Sequence, residues 1–131
     1  MTTEQLAAFI KAYNQSVKKC IKSEDKDGKL IDEQSDWVWF DRKKLEELLA
    51  LTDENEGGIK IYFGQYTKSN LDILPPQWPD REDYIGRLSL ALVASNKNSN
   101  GYEDIYLKDS ERSNHGIQNT GDLCPPTCPR P

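Results

Sequence analysis

The stretch Ile59-Lys60-Ile61-Tyr62-Phe63-Gly64-Gln65-Tyr66 decides how this chain is read. Successive side chains of a strand project to opposite faces. Ile59, Ile61 and Phe63 therefore share one face, and Lys60, Tyr62, Gly64 and Tyr66 share the other. A strand with one apolar face needs neighbours, and the sequence downstream supplies them. Gly86-Arg87-Leu88-Ser89-Leu90-Ala91-Leu92-Val93-Ala94 repeats the alternation, with Leu88, Leu90 and Leu92 toward the core. A polar turn over residues 96–101 leads to a short strand over residues 102–107, and the two pair as a hairpin across Asn100-Gly101. Three closely spaced strands predict an antiparallel sheet.

Upstream, residues 3–22 read as an amphipathic helix, with Leu6, Phe9, Ile10, Tyr13, Val17 and Ile21 at three- and four-residue spacings. Thr2 and Gln5 form a capping box at its start. Cys20 beside the stripe reads as a small buried hydrophobe. Asp36-Trp37-Val38-Trp39-Phe40 is β-prone, with Trp37 and Trp39 on one face and Val38 and Phe40 on the other. It runs into a second helix with Asp41 as N-cap and Leu45, Leu48 and Leu49 as the buried stripe. The connection over residues 67–85 contains Leu74-Pro75-Pro76-Gln77-Trp78-Pro79 and has no period, which predicts an irregular excursion. Excursions of that length are often functional.

The fold expected is one α+β domain over residues 1–131. An antiparallel sheet of three to four strands carries two helices and an irregular Pro-rich C-terminal tail. The parts are an N-terminal helix (1–22), a sheet-and-helix core (37–107) and a Cys/Pro-rich tail (108–131).

With 17 basic and 22 acidic residues, the chain carries a net charge of -5. Nucleic-acid binding draws on clustered cations and is disfavoured. No apolar run approaches the roughly 20 residues of a membrane span, and Met1-Thr2-Thr3-Glu4-Gln5-Leu6 lacks the features of a secretory leader. The expectation is a cytoplasmic, acidic protein with no membrane association and reduced thiols. Ser23-Glu24-Asp25-Lys26-Asp27-Gly28-Lys29 invites comparison with a calcium loop, but Gln34 stands where the closing bidentate Glu belongs, so a solvated turn is expected.

The tail gathers the only histidine and two of the three cysteines: Asn114-His115-Gly116, then Leu123-Cys124-Pro125-Pro126-Thr127-Cys128. These segments, together with the Gly58 to Tyr66 and Gly86 to Leu90 strands and the Trp39-Phe40 run into a Leu-rich helix, resemble a group of small bacterial proteins of no known activity. The resemblance spans residues 37–128. It implies that strand and Cys-Pro-Pro tail travel together, and it brings no activity with it.

Three readings of the tail follow from its chemistry. Cys124, Cys128 and His115 would supply three zinc ligands, with Cys20 or Asp122 as a fourth. Cys124 and Cys128 would alternatively close a short disulfide. As reduced thiols, they would leave Leu123 and the prolines to pack over a sheet edge. A Cys/His pair is also the minimum for nucleophilic catalysis, but no nucleophile elbow or phosphate loop accompanies it, and no catalytic residue is assigned.

The remaining candidate is the second face of the sheet. Lys60, Tyr62, Tyr66 and Arg87 would project together, with Trp78 and Tyr84 from the excursion folding over them as a ligand- or partner-binding surface. The function expected is a non-enzymatic module binding a protein partner, of the antagonist or immunity type. Its alternatives are a small zinc-stabilised domain and a Cys/His enzyme. Beyond that zinc, no cofactor is expected.

Overall fold

The computed structural model describes residues 1–106, 117–118, 121–126 and 128. Its class is the expected α+β, with antiparallel sheets and helices. Helix α1 spans Thr3–Gln15. Thr2 and Gln5 form the capping box, each side chain bonded to the other's backbone N–H. At Ser16 the backbone leaves helical geometry (φ -129°, ψ -84°), and a single further turn, α2 (Val17–Cys20), follows. The one long helix expected over residues 3–22 is therefore two pieces.

Residues 23–30 form the solvated turn. The Asp25 Oδ1 accepts N–H bonds from Asp27 at 2.9 Å and Lys29 at 3.0 Å, which closes the turn locally. Strand β1 (Trp37–Trp39) leads to α3 (Arg42–Leu49). Asp41 caps α3, its Oδ1 accepting from the Lys44 N–H at 2.8 Å. Strand β2 covers Gly57–Gln65. The excursion of residues 67–85 contains two 3₁₀ turns, Leu71–Ile73 and Arg81–Tyr84. Strand β3 (Leu88–Asn98) then pairs antiparallel with the whole of β2. Its other edge takes β4 (Gly101–Asp104) at one end and β5 (Ile117–Gln118) further along. The β3–β4 hairpin closes at Asn98 opposite Gly101, so Ser99 and Asn100 form its two-residue loop. That is one residue earlier than expected, and Gly101 (φ 123°) supplies the positive φ.

β6 (Asp122–Cys124) pairs with β1 as a separate two-stranded sheet. The Trp37 run was expected to be a strand, but its partner comes from the far end of the chain. The tail thus contributes to the interior. Leu123 is fully buried and packs with Tyr66, Leu74 and Tyr84, while Val38, Leu71 and Trp78 close that cluster from outside. A second cluster joins Leu48 of α3 to Leu92 and Ala94 of β3, with Phe40, Leu45, Leu51, Ile59 and Ile105 packed against it.

Candidate functional site

Strand parity divides the main sheet into two faces. Ile59 lies opposite Ala94, Ile61 opposite Leu92 and Phe63 opposite Leu90, and residues directly opposite point to the same side. α3 covers one end of this apolar face through Leu48. Over the other end stands α1, and between them lies an open groove of about 730 Å³. Phe9, Ile10, Tyr13 and Val17 line it from the helices, Trp37 and Val38 from β1, and Phe63, Leu88 and Leu90 from the sheet. No residue of α1 is buried. Phe9 is 67% exposed and Phe63 79%. The apolar stripe expected to seal against the core is therefore in contact with solvent.

At the groove's edge a polar link joins α1 to β3. Tyr13 donates its hydroxyl to the Ser35 carbonyl at 2.8 Å, and Ser35 donates its own hydroxyl to the Leu88 carbonyl at 2.5 Å. Ser35 thus stands between helix and strand and is bonded to both. Burial raises the pKa of the Tyr13 hydroxyl, which favours its neutral donor form. Lys18 bridges Glu33 (3.1 Å) and Asp36 (2.7 Å) at the same end. Burial opposes its charge, but the hydrogen bonds to Asp36 and Glu33 outweigh it and the ammonium pKa lies above its ordinary value.

Beside this link lies a buried hydrogen-bond hub centred on Gln34. Its Oε1 accepts from the Leu88 N–H (2.6 Å) and the Ser35 N–H (3.0 Å). Its Nε2 donates to the Gly86 carbonyl (3.3 Å), which also accepts from the Ser23 hydroxyl. The sequence marked Gln34 only as a poor calcium ligand. Its neighbourhood pattern gave no sign that it would be buried.

The six residues expected on the second sheet face part into three groups. Lys60 and Tyr62 meet Asp104 of β4. The Lys60 ammonium lies 2.5 Å from the Asp104 Oδ1. Tyr62 and Tyr106 donate their hydroxyls to its Oδ2 at 2.5 and 2.9 Å. Tyr66 and Tyr84 are core residues, with ring centroids 6.0 Å apart, and Trp78 meets Tyr84 edge-on at 5.9 Å. Burial raises the Tyr66 pKa. Arg87 is spent on backbone, donating to the Asp83 carbonyl at 3.0 Å and to the Glu33 carbonyl. Burial also lowers its pKa. The expected single surface fails because the excursion folds its aromatics into the core against Leu123 and not over Lys60.

Hydrogen bonds from Lys60 and then Tyr62 hold the Asp104 pKa below the ordinary aspartate value. A carboxyl depressed in the folded state adds stability above its unfolded pKa of about 4 and loses it as pH falls through the folded pKa. A carbon-detected NMR titration is expected to show the Asp104 midpoint below that of an ordinary aspartate. Lys60→Met is expected to move it upward. An unchanged midpoint in that variant would mean that the pair does not form.

In the tail, Cys124 and Cys128 are joined by a disulfide, with Cα atoms 4.7 Å apart. A disulfide sulfur is not the thiolate that binds a metal, so this state and the zinc reading are alternatives for the same two atoms. His115 lies outside the described residues, and among those described no group of three His, Cys, Asp or Glu side chains gathers to hold a metal. Cys20 is an exposed free thiol and not the buried hydrophobe expected. Among the described residues no helix is long and apolar enough to cross a membrane.

The sequence did hold a signal for the groove. The α1 stripe and the Trp37 run are both rich in large apolar side chains, and several of these line it. Comparison with protein-family models, curated proteins and solved structures finds no match to this chain.

Proposed function

We propose that the chain is a non-enzymatic protein-interaction module whose groove between α1 and the sheet receives an apolar segment of a protein partner. The observation that carries this reading is the groove itself, about 730 Å³, walled by Phe9, Trp37 and Phe63 and edged by the hydrogen bonds through Ser35. Grooves of this size lined by aromatic and aliphatic side chains suit helix or extended-segment recognition. Aromatic anchors in such sites carry much of the binding energy. A net charge of -5 would favour encounter with a basic partner, as an antagonist of the immunity type requires. The setting proposed is the cytoplasm.

A displayed library of short peptides, selected against the folded protein, tests the reading. Enriched peptides are expected to be apolar on one face. Phe9→Asp is expected to weaken them about 30-fold, the loss typical of a hot-spot residue. Phe9 is exposed, so the same change is expected to leave stability within about 1 kcal/mol of wild type. Peptides that bind wild type and Phe9→Asp equally, or a selection that enriches nothing, would remove the groove as the site.

A further inference from the structure

Strand β2 is paired along one side only: β3 takes one edge, and among the described residues no strand takes the other. Lys97 donates its N–H to the Glu56 carbonyl at 2.8 Å. With β2 and β3 in antiparallel register, even-numbered residues of β2 therefore turn their backbone groups toward β3. Ile59, Ile61 and Phe63 turn theirs outward to the free edge. Such a row of unpaired groups is a template for another strand, and monomeric proteins blunt it with prolines, bulges or inward charges. β2 has no proline and no bulge: its nine residues run in unbroken register. Its one charged side chain, Lys60, lies on the face opposite Ile59, Ile61 and Phe63 and is matched by Asp104 of the same chain. Ile61 is 54% exposed and Phe63 79%.

We infer that β2 pairs antiparallel with β2 of a second copy about a two-fold axis through Ile61, joining two sheets into one. The segment Gly58-Ile59-Lys60-Ile61-Tyr62-Phe63-Gly64 reads nearly the same in both directions by residue class. With Ile61 opposite itself, Ile59 meets Phe63 of the second copy on one face, twice, so all three apolar residues find apolar partners. On the other face each Lys60 meets a Tyr62, placing a cation beside an aromatic ring. Within one chain this contact already exists, with the Lys60 ammonium 5.8 Å from the Tyr62 ring centre. Gly58 meets Gly64, and neither has anything within 4 Å of where a Cβ would stand, so this pair is uncrowded, while just past the strip the Asn70 amide donates to the Gln65 carbonyl at 3.1 Å and ends the free edge.

Neighbouring registers are worse. A shift one way sets Lys60 against Lys60, and like charges directly opposite repel. A shift the other way sets Ile59 against Gln65. The strip itself carries no carboxylate, and Asp104 beside it is matched by Lys60, so two chains of net charge -5 meet where little of that charge is unpaired. The strip's one charge, Lys60, is already matched by Asp104, so a charged peptide gains little here, and the second copy is the occupant the strip suits.

Light scattering and sedimentation equilibrium of the full chain across a wide concentration range test the pairing. The expected result is a species of twice the 15.0 kDa chain mass that dissociates on dilution. Ile61→Lys is expected to weaken association about 100-fold by setting two ammonium groups face to face, and Ile61→Val is expected to preserve it. Ile61 does not line the α1 groove, so a failure here leaves the groove reading untouched. Amide exchange on wild type covers the case of a misfolded variant. The N–H groups of Ile59, Ile61 and Phe63 are expected to slow as concentration rises. A monomer at every concentration, a dimer that survives Ile61→Lys in a folded protein, or exchange at those three amides that ignores concentration would each overturn the inference.

Discussion

Gly86→Ala is expected to destabilise the fold by about 3 kcal/mol or more. Two costs combine. Gly86 has φ 84°, a left-handed conformation that costs an L-residue roughly 1–2 kcal/mol. An added Cβ would also stand 2.2 Å from the Glu24 carbonyl oxygen and 2.7 Å from the Ile31 Cδ1, so the backbone must move. It cannot do so freely. The Gly86 N–H donates to the Tyr66 carbonyl at 2.8 Å, and its carbonyl accepts from Gln34 and Ser23. Gln34 is 3% exposed, and stranding a buried amide costs roughly another 1–3 kcal/mol. Denaturant unfolding followed by circular dichroism measures the change. Gly58→Ala is the control, since its Cβ enters open space. A Gly86 variant within 1 kcal/mol of wild type would mean that the hub does not close as described.

Leu48→Ala is expected to cost about 3 kcal/mol, within the range of roughly 2–5 for emptying a fully buried leucine site. Helix α3 has only eight residues, and Leu48 is its one buried residue. A helix of that length is not stable alone in water. Its existence depends on docking Leu48 against Leu92 and Ala94. Leu49, the next residue, is 49% exposed, and Leu49→Ala is expected to cost less than about 1 kcal/mol. Equal losses at the two positions, measured by the same unfolding transitions, would place the α3 contact elsewhere.

The elements legible in the sequence were those whose cause is local. Alternation fixed β2 and most of β3, and capping chemistry placed the starts of α1 and α3 at Thr2 and Asp41. What stayed hidden depends on chain segments distant in sequence. Nothing near Trp37 announces that its partner is Cys124, some ninety residues on. Leu123, flanked by polar and Pro-rich sequence, gave no periodic sign that it would be fully buried. Tyr66 and Tyr84 were legible as aromatics near the sheet, but the same residue types serve a core or a binding face. Burial by Leu74 and Leu123 decided for the core. The groove escaped because an amphipathic stripe predicts which side of a helix is apolar and is silent on how closely it docks. Ser35, a single polar residue in a loop, links the helix to the sheet there.

The most direct test of the central claim is methyl NMR on protein labelled at isoleucine, leucine and valine, alone and with a peptide from the groove selection. Without peptide, no nuclear Overhauser contacts are expected between Ile10 or Val17 of the helices and Leu88 or Leu90 of β3. With peptide, contacts from its apolar side chains to both groups are expected, placing it between helix and sheet. Direct helix-to-strand contacts in the free protein, or peptide contacts confined to methyls outside the groove such as Ile73 and Ile105, would contradict the account.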